Sequence, residues 1–154
     1  MYYIYILNDF EIGNNILNAE QILDSLVGRK CWVYNSTTPN FKRINRGDKV
    51  LVYMAGVGRR NFVASFNIAS DIVEKQLDLL TKEESILFNM FSHMVKIENI
   101  NIFQKPVTIA EIKNDLEFIS DKKNYGLFFR QATKRITQQD YEKVISASQN
   151  FLTV

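Results

Sequence analysis

Residues 47–68 read GDKVLVYMAGVGRRNFVASFNI, and this stretch predicts two neighbouring β-strands joined by a short turn. The pair Gly47-Asp48 is typical of a turn, and the apolar run 49–54 that follows it suits a central strand. Apolar and polar side chains then alternate over 62–68, as they do in a strand with one buried face. The connecting residues 55–61 contain two glycines and two arginines, which indicates a basic hairpin turn.

Shorter elements are predicted on both sides of this hairpin. In chain order they are a strand at 2–7, an amphipathic helix over 19–27 that ends at Gly28, a short apolar stretch at 31–34, a helix from a Thr81–Glu84 capping box to Phe91, a strand at 93–103, a short helix containing Ile112 and Leu116, a strand at 125–129, and a closing helix after Thr137 whose apolar stripe is Tyr141, Val144, Ile145, Ser148 and Phe151. About five strands among short helices predict an α+β domain around a small mixed sheet or barrel. Because no linker rich in proline or glycine divides the chain, residues 1–154 are predicted to form a single domain.

Cysteine and histidine each occur once among the 154 residues, as Cys31 and His93. One cysteine excludes an intramolecular disulfide and a thiolate-rich metal site, and one histidine excludes a histidine-rich zinc site. We therefore expect neither a metal nor a cofactor. No apolar run approaches the roughly 20 residues that span a bilayer, and the first residues lack a signal peptide. A soluble, cytoplasmic protein without a membrane partner is the expectation, and the abundance of Ile, Asn and Lys suggests a bacterial source.

The net charge of +2 is distributed unevenly along the chain. Residues 1–28 carry −4, residues 29–70 carry +7, residues 71–120 carry −4 and residues 121–154 carry +3. Both basic blocks are also rich in aromatic side chains, a combination that suits a face for binding a polyanion. The alternative is that these charges disperse over the folded surface and are simply solvated.

Few residues are available for catalysis. Cys31 and His93 are the only candidates for a nucleophile and base pair, and no local motif surrounds either one. A single cysteine beside a tryptophan is usually a small buried apolar residue. The segment 56–58 lacks both the third glycine of a dinucleotide-binding motif and the Gly-Lys-Ser/Thr of a phosphate-binding loop. We therefore predict that the protein is not an enzyme and has no catalytic residues.

Aromatic side chains next to amides, hydroxyls and bases are the strongest functional signal. Aromatic faces stack on nucleobases and polar groups bind base edges, so such a combination is typical of a pocket for a flipped or unpaired base. The alternative is that these aromatics fill the core. The candidate pocket residues are Trp32, Tyr34, Asn35, Ser36, Tyr53, Phe129, Arg130 and Gln131. The candidate phosphate-binding residues are Lys42, Arg43, Arg46, Arg59, Arg60 and Lys134.

Three passages resemble the EVE domains of the PUA-like superfamily. They are GDKVLVY (47–53) followed by FVASF (62–66), MVKIE (94–98) through KPVTIAEI (105–112), and LFFRQ (127–131) followed by TQQDY (137–141). The family's Trp…GVRN loop is only partly present: Val33-Tyr34-Asn35 matches its end with Tyr34 in place of Arg. Alternatively, Trp32-Val33-Tyr34-Asn35 resembles the pocket loop of the related YTH domains.

The resemblance implies a pseudobarrel of five or six strands with peripheral helices and a pocket for a modified base. In that case Trp32 stacks on the base, Tyr53 or Phe129 forms a second wall, and Asn35 and Ser36 bind its polar edges. Arg130 and Gln131 then support the pocket or contact the nucleic-acid strand. EVE and YTH relatives are readers without catalytic residues, associated with restriction or RNA modification, so nucleic acid (DNA or RNA) is the expected partner and a nuclease a candidate one.

Two other hypotheses remain open from the sequence. The first is a protein-interaction subunit whose basic face meets an acidic partner. The second is a nucleic-acid-processing enzyme that uses Cys31 or His93.

Overall fold

In the computed structural model, which describes residues 1–149, short helices are inserted between the strands of one large sheet. The strands are β1 (Tyr2–Leu7), β2 (Phe10–Ile12), β3 (Asn15–Leu17), β4 (Cys31–Tyr34), β5 (Lys49–Met54), β6 (Asn61–Ile68), β7 (Val73–Glu74), β8 (His93–Thr108) and β9 (Thr133–Ile136). The helices are α1 (Ala19–Gly28), α2 (Lys82–Phe88), α3 (Ile109–Ile112) and α4 (Gln138–Gln149), with 3₁₀ turns at Phe41–Arg43, Lys113–Asp115 and Tyr125–Phe129.

The main sheet has the strand order β4-β8-β6-β5-β1-β9, and β7 pairs with the beginning of β8. β1 and β5 are parallel, from Tyr2 opposite Lys49 to Leu7 opposite Met54. The other neighbouring pairs are antiparallel, so the sheet is mixed. The sheet curls into a half-barrel with short helices around it, which confirms the α+β, PUA-like pseudobarrel predicted from the sequence.

The stretch 47–68 forms the predicted hairpin of β5 and β6. Gly47 has a φ of +91°, which an L side chain rarely adopts, and its N–H donates to the carbonyl of Ile68 at 2.7 Å. The Asp48 carboxylate accepts a hydrogen bond of 2.8 Å from the N–H of Asn45. The Gly-Asp pair therefore closes the turn that starts β5 and fixes where β6 ends.

The sheet separates two apolar clusters, because successive side chains of a strand point to opposite faces. Along β1, Tyr3, Tyr5 and Leu7 belong to the first cluster, which also contains α1, β4 and the end of α2. Ile4 and Ile6 belong to the second cluster, with α3, α4 and Phe129. A side chain's position in the strand therefore decides to which of the two clusters it contributes.

The prediction of a strand at 125–129 is wrong, since these residues form a 3₁₀ turn. Phe129 is buried there against Tyr53, with 4.0 Å between ring centroids, and the sheet edge beside β1 is occupied by β9 instead. The last strand of the sheet thus begins at Thr133, four residues after the end of the apolar run at Phe129.

The remaining differences concern the ends of elements. β8 continues to Thr108, beyond the predicted end at 103, and Asn99 within it adopts a positive φ of +52° where the pairing with β6 shifts register. α2 has the predicted capping box at Thr81 and Glu84 but ends at Phe88. In α4 the side chains of Tyr141, Val144 and Ser148 are buried as predicted, whereas Phe151 lies outside the described residues.

Within residues 1–149, every helix is too short or too polar to cross a membrane.

Candidate nucleic-acid interface

A cavity of about 70 Å³ lies at the border of the first apolar cluster, where the ends of several elements meet. Its walls come from the end of β1, from β4, from the end of α2 and from residues 132–133. Phe10, Phe91 and Thr38 also line it. Most of these groups are apolar, so the cavity suits a small, largely apolar group rather than a charged one.

Trp32 and Tyr34 lie on the same face of β4 and both line this cavity. The Trp32 indole packs on the ring of Phe66, with 5.2 Å between centroids and 28° between the planes. The Tyr5 ring lies 5.4 Å from Trp32 on a tilted plane. These contacts hold the indole in one orientation, and only 6% of Trp32 is exposed to solvent.

The Tyr34 hydroxyl is paired with the Tyr5 hydroxyl at 2.8 Å, and both groups are buried. Burial raises the pKa of the Tyr34 phenol well above its ordinary value because the anion would lose its hydration. Both phenols are therefore neutral in the folded protein, and one hydroxyl donates a hydrogen bond to the other beside the cavity.

The loop at 35–40, which follows β4, is attached at its first residue. The Asn35 side chain donates to the carbonyl of Met90 at 3.0 Å and accepts from the N–H of Ser92 at 3.2 Å. These two bonds enclose Phe91, whose ring lines the cavity. Asn35 therefore connects the loop to the segment that carries Phe91, while the next residue, Ser36, is exposed.

The same loop is attached at its other end to the start of β9. The Asn40 side chain donates to the Thr133 hydroxyl at 3.1 Å, and that hydroxyl donates to the carbonyl of Pro39. Asn40 has a φ of +65°, a left-handed conformation that asparagine tolerates better than most residues. With both ends held, the loop forms a defined rim between β4 and β9.

Phe10 and Phe91 are half-buried aromatic residues of the cavity that the sequence analysis did not identify. Their ring centroids are 6.4 Å apart and their planes are inclined by 57°. In the sequence, Phe91 continues the apolar stripe of a helix, and Phe10 lies outside every predicted element. No local pattern could have selected them, since their proximity arises only from the tertiary fold.

Tyr53 and Phe129 lie apart from Trp32 and Tyr34, in the second apolar cluster. Their rings stack at 4.0 Å with 17° between the planes, and Phe62 packs against Tyr53 at 5.0 Å. Arg130 and Gln131 are exposed and directly precede Ala132, which lines the cavity. The structure thus brings Trp32 and Tyr34 together with the segment after Phe129, but not with the Tyr53–Phe129 pair.

The six candidate phosphate-binding residues differ in their surroundings. Lys42, Arg43, Arg46 and Arg60 are exposed. Lys134 is half-buried, with its ammonium 5.8 Å from the ring centroids of both Phe118 and Phe128. Arg59 instead forms ion pairs with Asp9 at 2.6 Å and Glu20 at 2.8 Å. Its charge is therefore compensated within the protein.

Cys31 and His93 lie at opposite ends of the β4–β8 pairing and do not form a pair. Cys31 is opposite Lys96, whereas His93 is opposite Tyr34, a separation of about 10 Å along the strands. Burial raises the pKa of the Cys31 thiol to about 11, so the nucleophilic thiolate is disfavoured at neutral pH. Among residues 1–149, no three His, Cys, Asp or Glu side chains are placed to hold a metal ion.

Comparison with protein families adds a match over most of the chain. The model of the family described as "EVE domain" matches residues 17–147. None of the curated protein sequences is significantly similar to this chain.

Several solved structures have a similar fold at low sequence identity. Human THYN1 protein, in complex with 5-methylcytosine-containing DNA, has a TM-score of 0.63 and 14% identity over 96% of this chain and 97% of its own. Rpa0253 from Rhodopseudomonas palustris has a TM-score of 0.60 and 13% identity over 97% and 93% of the two chains. The MmI1 YTH domain has a TM-score of 0.55 and 10% identity over 99% and 97%. At these identities the likeness concerns the fold alone.

Proposed function

The chain belongs to the EVE domain family, and from this membership we propose that it is a nucleic-acid-binding module that captures a flipped, modified base in the cavity beside Trp32 and Tyr34. The structural relative THYN1, in complex with 5-methylcytosine-containing DNA, supports this class of ligand. The module then acts as a reader and depends on other proteins for any chemistry.

One observation carries the proposal: a cavity with aromatic walls opens beside a rim that is held at both ends. Trp32 and Tyr34 supply flat, fixed surfaces, and a base that leaves its stack needs such surfaces to replace its lost neighbours. Asn35 and Thr133 hold the rim in place through hydrogen bonds at its two ends. Because this rim is already ordered, it loses less conformational entropy when the ligand binds.

The size of the cavity limits how a base enters. An apolar protein cavity of about 150 Å³ accommodates benzene, whereas this cavity measures about 70 Å³. A complete base therefore requires additional space, and the half-buried rings of Phe10 and Phe91 can provide it by turning outward. In the closed arrangement these two rings protect Trp32 and Tyr34 from water.

Polar contacts are assigned to the exposed groups around the rim. Ser36, Arg130 and Gln131 are exposed beside lining residues and are the candidates for base edges or the nucleic-acid strand. Asn35 instead acts as a positioning residue, because its amide oxygen and nitrogen already bond to the segment that carries Phe91. Tyr53 and Phe129 stabilise the opposite face of the sheet.

Phosphate contacts are assigned to the basic residues whose charges face solvent. They are the exposed Lys42, Arg43, Arg46 and Arg60, together with the half-buried Lys134, whose ammonium lies near two phenylalanine rings. Arg59 is left out because Asp9 and Glu20 compensate its charge. As phosphate contacts release counterions, we expect affinity to fall steeply with salt.

The proposal is tested by measuring the affinity of wild type and of one variant with a blocked cavity for a panel of DNA and RNA oligonucleotides. The panel contains modified and unmodified bases. In Ala132→Leu, a larger side chain occupies the cavity mouth, and binding of the modified base should weaken at least about tenfold, or about 1.4 kcal/mol. Ala110→Leu adds the same bulk at an exposed position of α3 and is the matched control. Thermal unfolding of both variants verifies that they fold.

The outcomes are distinct. If wild type and Ala132→Leu bind the modified oligonucleotide equally well, the cavity is not the binding site. If wild type binds modified and unmodified oligonucleotides equally well, the protein does not recognise the modification. Capture of an acidic protein without binding of any oligonucleotide would favour the protein-interaction alternative. Trp32→Ala is a poorer test because deleting a buried tryptophan costs about 3–5 kcal/mol of stability.

The panel also addresses the biological setting. A preference for methylated DNA would fit a reader subunit of a restriction system, with a nuclease as its partner. A preference for modified RNA would fit an RNA-modification system instead.

A further inference from the structure

We infer that Val57, at the tip of the β5–β6 turn, is a wedge that enters the base stack of duplex DNA where the captured base has left it. This inference rests on the proposed function and adds to it a form of substrate, the duplex, and a residue that opens it.

Val57 is 92% exposed, although it is an apolar side chain. Gly56 and Gly58 flank it and Arg59 and Arg60 follow, so it does not belong to an apolar surface patch that would suit a protein partner. An isolated apolar side chain near an exposed arginine, here Arg60, suits a wedge that enters a base stack while a cation holds the phosphate beside it.

The turn that carries Val57 is braced from within. Gly56 and Gly58 adopt φ values of +110° and +82°, conformations that L side chains rarely adopt. The N–H of Arg59 donates to the carbonyl of Gly56 at 3.2 Å, and its guanidinium donates to the carbonyl of Ala55 at 3.1 Å. The same guanidinium reaches Asp9 and Glu20. A side chain on such a support can separate stacked bases without first becoming ordered.

The turn is also attached to the wall of the cavity. Because β1 and β5 are parallel, both end at the same edge of the sheet, and the N–H of Ala55 donates to the carbonyl of Leu7 at 2.9 Å. Leu7 lines the cavity, and Asp9, which binds Arg59, precedes the lining residue Phe10. The wedge and the base receptor are thus connected at one edge of the sheet.

A wedge beside a base receptor favours base flipping from a duplex. A base that rotates out of a duplex leaves a gap, and the free energy of unstacking is partly recovered when an apolar side chain fills that gap. A single strand has no gap of this kind. The wedge should therefore matter for duplex ligands and not for single-stranded ones.

The test compares Val57→Ser with Leu79→Ser, a control at a site that is 91% exposed. The probe is a DNA oligonucleotide carrying 5-methylcytosine, or the base bound most tightly in the panel, offered as a duplex and as a single strand. Val57→Ser should weaken duplex binding roughly tenfold and leave single-strand binding within about twofold. A 2-aminopurine next to the modified base should lose its fluorescence increase in Val57→Ser but not in Leu79→Ser.

Each contrary result has its own meaning. Equal losses for duplex and single strand, or no loss for either, would overturn the wedge. Wild-type binding of the single strand alone would overturn the wedge and leave the proposed function intact. If wild type binds neither form of any modified oligonucleotide, the proposed function itself fails.

Discussion

At the scale of single residues, the buried hydroxyl pair of Tyr5 and Tyr34 explains why polar groups are tolerated in the cavity wall. Each hydroxyl is the partner of the other at 2.8 Å. A buried polar group without a partner is costly, whereas replacing both partners by apolar groups can be nearly neutral. The pair is therefore stable only as a unit.

Phenylalanine substitutions test this dependence. Tyr5→Phe or Tyr34→Phe alone should lower the free energy of unfolding by about 1–2 kcal/mol, because each leaves one buried hydroxyl without its partner. The double variant should be less destabilised than the sum of the two single ones. Urea unfolding of the four proteins measures this coupling, and additive losses would show that the hydroxyls do not depend on each other.

A second residue-scale prediction concerns Asn35, which the sequence suggested as a reader of base edges. Asn35→Ala removes the bonds to Met90 and Ser92, so the segment carrying Phe91 should become less ordered. We expect a loss of about 1 kcal/mol in stability and a roughly tenfold loss in affinity for the modified oligonucleotide.

Thr37→Ala, at an exposed position of the same loop, is the control for this variant. Similar affinity losses for both variants would contradict the positioning role and favour direct contact of the loop with the ligand. Affinity is measured by fluorescence anisotropy, and stability by urea unfolding.

At the scale of elements, the beginning of α2 depends on an ionised carboxylate. Glu84 accepts hydrogen bonds from Arg29 at 2.7 Å and from the N–H of Thr81 at 3.1 Å. These contacts lower the pKa of Glu84 from its ordinary value of 4.5 to about 2, the Arg29 hydrogen bond being the largest cause. The carboxylate therefore joins α2 to the end of α1.

This shift predicts how stability responds to acid. Since the pKa is lower in the folded protein than in the unfolded one, ionised Glu84 stabilises the fold above about pH 4.5, and this contribution is lost as pH falls towards 2. Glu84→Gln should be less stable than wild type at neutral pH, and the difference should shrink in acid.

Urea unfolding at several pH values measures this difference, with Glu83→Gln as the control because Glu83 is exposed in the same helical turn. A constant difference between Glu84→Gln and wild type from pH 7 to pH 2 would contradict the role assigned to the carboxylate.

The elements also indicate which parts of the fold are predictable from sequence. The hairpin at 47–68 was predictable because its turn residues and its alternation are local signals. The apolar run at 125–129 was not, because a short apolar run is compatible with several structures. Stacking of Phe129 on Tyr53 decided in favour of a 3₁₀ turn. That contact is between residues far apart in the chain.

At the scale of the whole molecule, the two adjacent arginines of the β5–β6 turn should have different effects on binding. Arg60→Ala should remove one phosphate contact and reduce the slope of log K against log salt by about 1. Arg59→Ala should leave the slope closer to the wild-type value, because Asp9 and Glu20 compensate the charge of Arg59. It should instead lower stability, as the turn loses its brace.

Titrations at several salt concentrations measure the two slopes. The same slope for Arg60→Ala and wild type would remove Arg60 from the set of phosphate contacts.

The candidate site was predictable only in part, because some of its residues come together only in the folded molecule. Trp32 and Tyr34 could be selected because they lie together in the sequence beside an amide and hydroxyl loop. The sequence does not tell which face of a sheet a strand residue occupies when both faces are buried. Tyr53 and Phe129 were therefore predicted as pocket residues together with Trp32 and Tyr34, although they lie in the second apolar cluster. Phe10 and Phe91 meet only through the fold.

The position of β1 between β5 and β9 has a consequence for the synthesis of the protein. Leu7 and Ala132 lie far apart in the sequence but contribute to one cavity, and the N–H of Ile6 donates to the carbonyl of Ala132 at 2.9 Å. A nascent chain that has not yet released residues 132–136 from the ribosome has no complete receptor and one unpaired edge on β1. The cavity proposed to bind the base is thus complete only after residues 132–136 have left the ribosome, and a product truncated before Ala132 lacks part of the cavity wall.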